Sequence, residues 1–174
     1  MKGGEFKVSK TADNLKSAFA GESQANRRYI AFAQKAEDEG FSQVARLFRA
    51  AAEAETVHAL NHLKTLKEVK STKANLETAI SGEHFEFKEM YPGYLDAAKK
   101  DGNPKAAWSF NVANQVEAIH ASLFSKALAA LKQGVEMAET DYYVCRVCGN
   151  TVEGMRPEKC PICGAAKTEF FKTD

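Results

Sequence analysis

Two Glu-x-x-His pairs, Glu55 with His58 and Glu117 with His120, and two Cys-x-x-Cys pairs, Cys145 with Cys148 and Cys160 with Cys163, are the residues best suited to chemistry in this chain. Residues three apart share one helical face, so the Glu and His of each pair can meet a single metal ion. Carboxylate and imidazole donors together suit iron or manganese. Four thiolates spaced as two knuckles, each followed by a glycine (Gly149 and Gly164), wrap one tetrahedral ion. Taken alone, the knuckles accept zinc or iron equally well.

Helices must position the first set. From Thr11 to Lys132 the chain is rich in Ala, Leu, Glu, Lys and Gln, all good helix formers. Few breaks interrupt it. They predict helices from about Thr11 to Glu39, from Ser42 as N-cap to about Lys70, from Thr72 to Lys100, and from Pro104, capped by Asn103, to a stop at Gly134. Short connections between long helices imply antiparallel neighbours. The boundary to the cysteine region falls near Thr140, giving a helical domain over 1–140 and a small metal-binding domain over 141–174. Pro92 is expected to kink the third helix.

Each helix shows an apolar line at three- and four-residue steps, and each line is broken by an acid. The first runs Leu15, Ala18, Glu22, Ala25, Tyr29 and Phe32; the second runs Val44, Phe48, Ala51, Glu55, His58 and His62. The third brings Glu83 inward, with Glu86 one turn along on a neighbouring line and Tyr94 further on; the fourth runs Phe110, Ala113, Glu117, His120, Phe124, Ala127 and Leu131. Converging buried carboxylates repel unless a polyvalent cation offsets them. A Glu on two helices and a Glu-x-x-His on the other two is the pattern of a carboxylate-bridged dimetal site in a bundle. Beside such a redox pair the thiolate clip gains a use as an electron carrier, which favours iron over zinc. His62 reads as a hydrogen-bonded core histidine, His84 as structural or exposed, and Trp108 as packing.

A net charge of +1 with interleaved signs gives no field for nucleic acid or an anionic membrane. No leader or spanning stretch is legible, and paired cysteines in a reducing compartment point to metal, so a cytoplasmic protein is expected.

The stretches FAGESQANRRYIAFA, LFRAAAEAETVHA, AISGEHFEFKEMYPGY and VEAIHA, followed by CRVCG and CPICG, resemble the rubrerythrin family over nearly the whole chain. The resemblance implies a mainly α fold, a ferritin-like antiparallel four-helix bundle followed by a rubredoxin-like domain, with three Fe per chain. It implies Glu22, Glu55, His58, Glu83, Glu86, Glu117 and His120 as di-iron ligands. Glu55 and Glu117 would bridge, and Glu86 and His58 would exchange on one iron. Cys145, Cys148, Cys160 and Cys163 would hold the single iron, and Tyr29 and Tyr91 would hydrogen-bond metal carboxylates and supply protons. The implied activity is a non-haem iron peroxidase that reduces hydrogen peroxide in oxidative-stress defence. Its electrons would come from an external donor such as rubredoxin or an NAD(P)H-dependent reductase, and the protein would be a homodimer. Ferroxidase or oxidase chemistry with dioxygen, or a non-catalytic iron-binding electron carrier, are the alternatives. The connection after the second helix is short for the family, and the knuckle spacing is tight.

Overall fold

A computed structural model describes residues 10–173; the start of the chain read above for a leader lies partly outside them. The described residues fall into two compact units, one ending at Lys70 and one beginning at Ser71. Among the described residues, no helix is long and apolar enough to cross a membrane.

The first unit is a hairpin of α1 (Lys10–Asp38) and α2 (Ser42–Thr65). Its seam is built from alanines, with Ala33, Ala36, Ala45, Ala52 and Ala59 all buried. Small side chains let the backbones approach closely. Asn26 uses that proximity, donating across the seam to the Ala52 carbonyl at 2.7 Å and to Thr56 Oγ1 at 2.8 Å. Gly40 closes the turn at φ +82, where a residue with a Cβ would be strained. Ser42 is not the N-cap the sequence suggests. Phe41 occupies that position, and Ser42 Oγ donates to Glu37 Oε1 at 3.0 Å, an acid presented by the end of α1. Helix α2 also stops at Thr65, before Lys70, and Lys67 turns the chain at φ +57. Ser71 supplies the cap for the next helix by accepting from the Ala74 N–H.

The second unit contains α3 (Thr72–Phe85), a π turn (Glu86–Met90), α4 (Tyr91–Lys100) and α5 (Pro104–Lys132). The third helix expected from the sequence is thus interrupted by a π turn. Pro92 has no N–H to return to the preceding turn, and the Tyr91 N–H reaches back five residues to the Glu86 carbonyl. Asn103 caps α5 as expected, accepting from Ala106 N at 3.1 Å with Pro104 in the first turn. Helix α5 packs on both halves of the interrupted helix through buried Val112, Val116 and Leu128, with Phe110 against Tyr94 at 5.5 Å between ring centres.

After Gly134 the chain forms β1 (Tyr142–Cys145), β2 (Thr151–Glu153) and β3 (Phe170–Lys172), an antiparallel sheet in the order β2-β1-β3. Tyr143 pairs with Val152 on one side and Val144 with Phe171 on the other. Cys145, Cys160 and Phe170 form its small buried core. A module this small needs a metal or disulfides to be stable. Strand β2 lies against α5, where Lys126 Nζ binds both carboxylate oxygens of Glu153 at 2.7 and 2.6 Å.

Candidate metal centres

Glu22, Glu55 and His58 bring one donor atom each within 4.8 Å of one another in the first unit, and Glu83, Glu117 and His120 do the same in the second. The two clusters repeat the same local geometry. His58 Nδ1 lies 2.9 Å from Glu55 Oε2, and His120 Nδ1 lies 2.8 Å from Glu117 Oε2. Helical spacing produces this, since a residue three positions on stands one turn above its partner.

The hydrogen bonds of His120 show what its Nδ1 is set up to do. Its Nε2 lies 2.9 Å from Thr151 Oγ1, and that hydroxyl donates its one proton to the Gly149 carbonyl at 3.2 Å. The hydroxyl therefore accepts from Nε2–H, which leaves Nδ1 facing the Glu117 carboxylate. A ring nitrogen and a carboxylate oxygen 2.8 Å apart are held together by a proton or a cation. The donor set fits a metal.

Electrostatics point the same way. Burial, reinforced by the Glu117 charge, raises Glu83 to about 7, although His120 opposes the shift. Burial and then Glu117 also raise Glu86, and burial with Glu117, Glu86 and Glu83 raises the Tyr91 phenol. Glu86 stands at the head of the π turn, outside the three-residue cluster but within its field. Tyr29 lies among aromatic rings, 6.1 Å from Phe48 and 6.4 Å from Phe32. His84 packs on Phe87 at 5.1 Å, in keeping with a structural role.

These shifts give a pH dependence for metal-depleted protein. A carboxyl whose folded pKa exceeds its unfolded value binds more protons when folded, so its contribution is present at low pH and lost as pH rises through the folded value. With Glu83 moving from 4.5 to about 7, melting followed by circular dichroism should occur at a higher temperature at pH 5.5 than at pH 8. Metal binding should show the opposite trend and weaken as pH falls below about 7. A metal-depleted protein that melts identically at both values contradicts the assignment.

The four cysteines form the third cluster. Cys145 and Cys163 sulfurs are 3.7 Å apart, and those of Cys148 and Cys160 are 3.6 Å apart. A disulfide needs about 2.05 Å. An ion about 2.3 Å from each sulfur places tetrahedral sulfurs about 3.8 Å apart, close to the observed edges. Gly149 and Gly164, at φ +81 and +77, return their N–H groups to the Cys145 and Cys160 carbonyls at 2.9 Å. Burial raises Cys160, but the N–H groups of Cys163 and Ile162 and its neighbouring thiol outweigh it and lower the value to about 7. Buried Asn150 adds an N–H···S contact to Cys160 at 3.6 Å.

The family profile described as Rubrerythrin matches residues 13–128, and that described as Rubrerythrin, rubredoxin-like domain matches residues 143–171. The chain belongs to the rubrerythrin family. Rubrerythrin-2 of Clostridium acetobutylicum is 39% identical, covering 92% of this chain and 95% of that one. Nigerythrin of Nitratidesulfovibrio vulgaris is 34% identical, covering 94% of this chain and 86% of its own length. A solved structure of nigerythrin in its fully reduced, all-ferrous state has a TM-score of 0.57 at 32% identity, covering 99% of this chain and 91% of that one. As a rubrerythrin-family protein the chain has the ferritin-like helical fold and a rubredoxin-like module. Its helices carry the carboxylate and histidine clusters and its sheet carries the tetrathiolate. Sequence spacing did not reveal Thr151. Its contact with His120 spans 31 positions, and no periodic pattern links a strand to a helix at that distance.

Proposed function

We propose that this rubrerythrin-family chain reduces hydrogen peroxide to water at a di-iron site and receives the electrons through an Fe(Cys)4 centre, three irons per chain. One observation supports the reading most. Within the second unit, His120 of the carboxylate cluster is hydrogen-bonded to Thr151, three residues beyond Cys148 of the thiolate cluster. A ligand set suited to redox iron and an electron-carrying clip are therefore joined by one hydrogen bond and a short stretch of backbone. Glu22, Glu55, His58, Glu83, Glu86, Glu117 and His120 would hold the paired irons, with Glu55 and Glu117 as the bridging carboxylates that the family resemblance implies, and the four cysteines would hold the third. Bound iron supplies the two electrons that cleavage of peroxide to two waters requires.

The protein's own groups position and protonate. Burial and the surrounding carboxylates keep the Tyr91 phenol protonated beside the cluster, as a proton donor to departing oxygen needs. Tyr29, two turns along α1 from Glu22, would be the second proton donor. Glu86 sits on a π turn, where helical hydrogen bonding is already irregular, and with His58 it would be the exchangeable ligand that the family resemblance implies. Apolar Leu76, Leu123 and Phe124 share with Glu83 and His120 the walls of a cavity of about 580 Å³, large enough for a small uncharged substrate. Domain limits of 1–140 and 141–174, a homodimer, a cytoplasmic setting, and an external donor such as rubredoxin or an NAD(P)H-dependent reductase complete the reading.

Anaerobically reduced protein titrated with peroxide tests it. About one and a half peroxides per chain should reoxidise all three irons, one for the di-iron pair and half for the tetrathiolate, whose visible ferric colour then returns. Protein that consumes peroxide with no change in iron oxidation state contradicts the reading.

Thr151 provides a second check. Thr151→Val removes the partner that fixes the His120 tautomer, and partners of this kind are worth about 10–100-fold in metal affinity or activity. A metal-competition titration should show about a tenfold weaker bundle site, with Thr151→Ser restoring it. Equal affinity in Thr151→Val would remove Thr151 from the account.

A further inference from the structure

We infer that Asn150 sets the reduction potential of the iron held by the thiolate clip, raising it through hydrogen bonds to one sulfur of each knuckle. The inference rests on the iron reading of the clip given above.

Asn150 is 1% exposed, in a module whose other buried residues are Cys145, Cys160 and Phe170. It touches three of the four cysteines. Its carbonyl accepts from the Cys145 N–H at 2.9 Å. Burial raises the Cys148 thiol, and the Asn150 N–H opposes that rise by donating to the sulfur. The side-chain Nδ2 donates to Cys160 Sγ at 3.6 Å. The two sulfurs it reaches belong to different knuckles and lie 3.6 Å apart, so one residue spans an edge of the tetrahedron. A sulfur bound to a metal carries no proton and can only accept, which turns the amide nitrogen toward Cys160 and the amide oxygen away. That oxygen has no hydrogen-bond partner among the described residues. Burying an unpaired acceptor costs stability. Leucine has the same side-chain branching and no such cost, so packing does not account for an amide here; a nearby negative charge does.

Iron held by four thiolates carries one more negative charge when ferrous than when ferric. A hydrogen bond to sulfur stabilises the more negative state more strongly, so it raises the potential. Backbone N–H groups of Ile162 and Cys163 also reach Cys160. Those donors come with the knuckle turn, whatever the side chains. The Asn150 amide depends on residue type, so it can be removed without undoing the turn. A clip with a raised potential accepts electrons from weaker donors and stays filled until a stronger oxidant draws on it.

Anaerobic redox titration of the ferric visible band in the whole iron-loaded protein tests the inference. In Asn150→Leu the ferrous-to-ferric ratio of the clip at a fixed applied potential should fall about tenfold, a midpoint lower by about 59 mV for one electron. Asn150→Ala should lower the midpoint as well. A packing role alone would move the melting temperature and leave the midpoint in place, so an unchanged or raised midpoint in coloured Asn150→Leu overturns the inference. Unaltered protein that takes up iron but forms no coloured clip refutes the iron reading itself, and the inference with it. If neither variant assembles a coloured clip, unaltered ferric protein decides. Asn150 is the one asparagine in residues 141–174, so asparagine labelled with nitrogen-15 at its side-chain amide marks this contact in the module. Pulsed electron paramagnetic resonance should show that nitrogen coupled to the ferric clip, and no coupling overturns the inference.

Discussion

Glu117→Ala is expected to lower peroxide reduction by about 100-fold or more, since ligands that act as a unit fail together. The side chain touches His120 at 2.8 Å, and its charge raises Glu83, Glu86 and Tyr91. Removing it therefore disturbs every group on that side of the site. Stability should respond differently from activity. In metal-depleted protein one of several mutually repelling acids disappears, so the melting temperature should stay level or rise, although a partly buried side chain has been shortened. The tetrathiolate should keep its colour, because Glu117 lies outside it. A structural metal would produce the reverse pattern, with a lower melting temperature and unchanged peroxide turnover. Measuring both on one preparation separates the enzyme from a passive iron carrier.

Cys163→Ser should have an effect of similar size on steady-state turnover, roughly 100-fold, by a different route. Serine keeps the side-chain volume but is a poor ligand, so the Fe(Cys)4 centre is lost while the helices remain. Electrons from an external donor then have no relay. Chemically pre-reduced protein should still react once with peroxide at close to the unaltered rate, since the bundle ligands are untouched. If that single turnover also fell 100-fold, the module would be supporting the bundle mechanically. The Lys126–Glu153 and His120–Thr151 contacts make that a real alternative to exclude.

The features that sequence disclosed were those with a period. Glutamates breaking apolar lines located both helical half-sites, and Asn103 with Pro104 located a helix start because capping is a local interaction. Non-local competition hid the rest. Ser42 resembled a cap, but the acid at the end of α1 took its hydroxyl and Phe41 stands at the cap position of α2, while Ser71 caps α3, where no expectation had been placed. The π turn at Glu86 was foreshadowed only by Pro92. A one-residue slip in the helical phase leaves the apolar pattern nearly unchanged, so periodicity showed a kink without its kind. Thr151 was the most consequential residue missed, since its role depends on a strand docking against α5.

The peroxidase reading is tested most directly by the rate at which anaerobically reduced protein is reoxidised. Mixed in a stopped-flow instrument with equal concentrations of peroxide or dioxygen, the bundle irons should be oxidised faster by peroxide. Reoxidation by dioxygen at an equal or greater rate, especially with continued turnover of added Fe(II), would contradict it and assign the site to oxidase or ferroxidase chemistry.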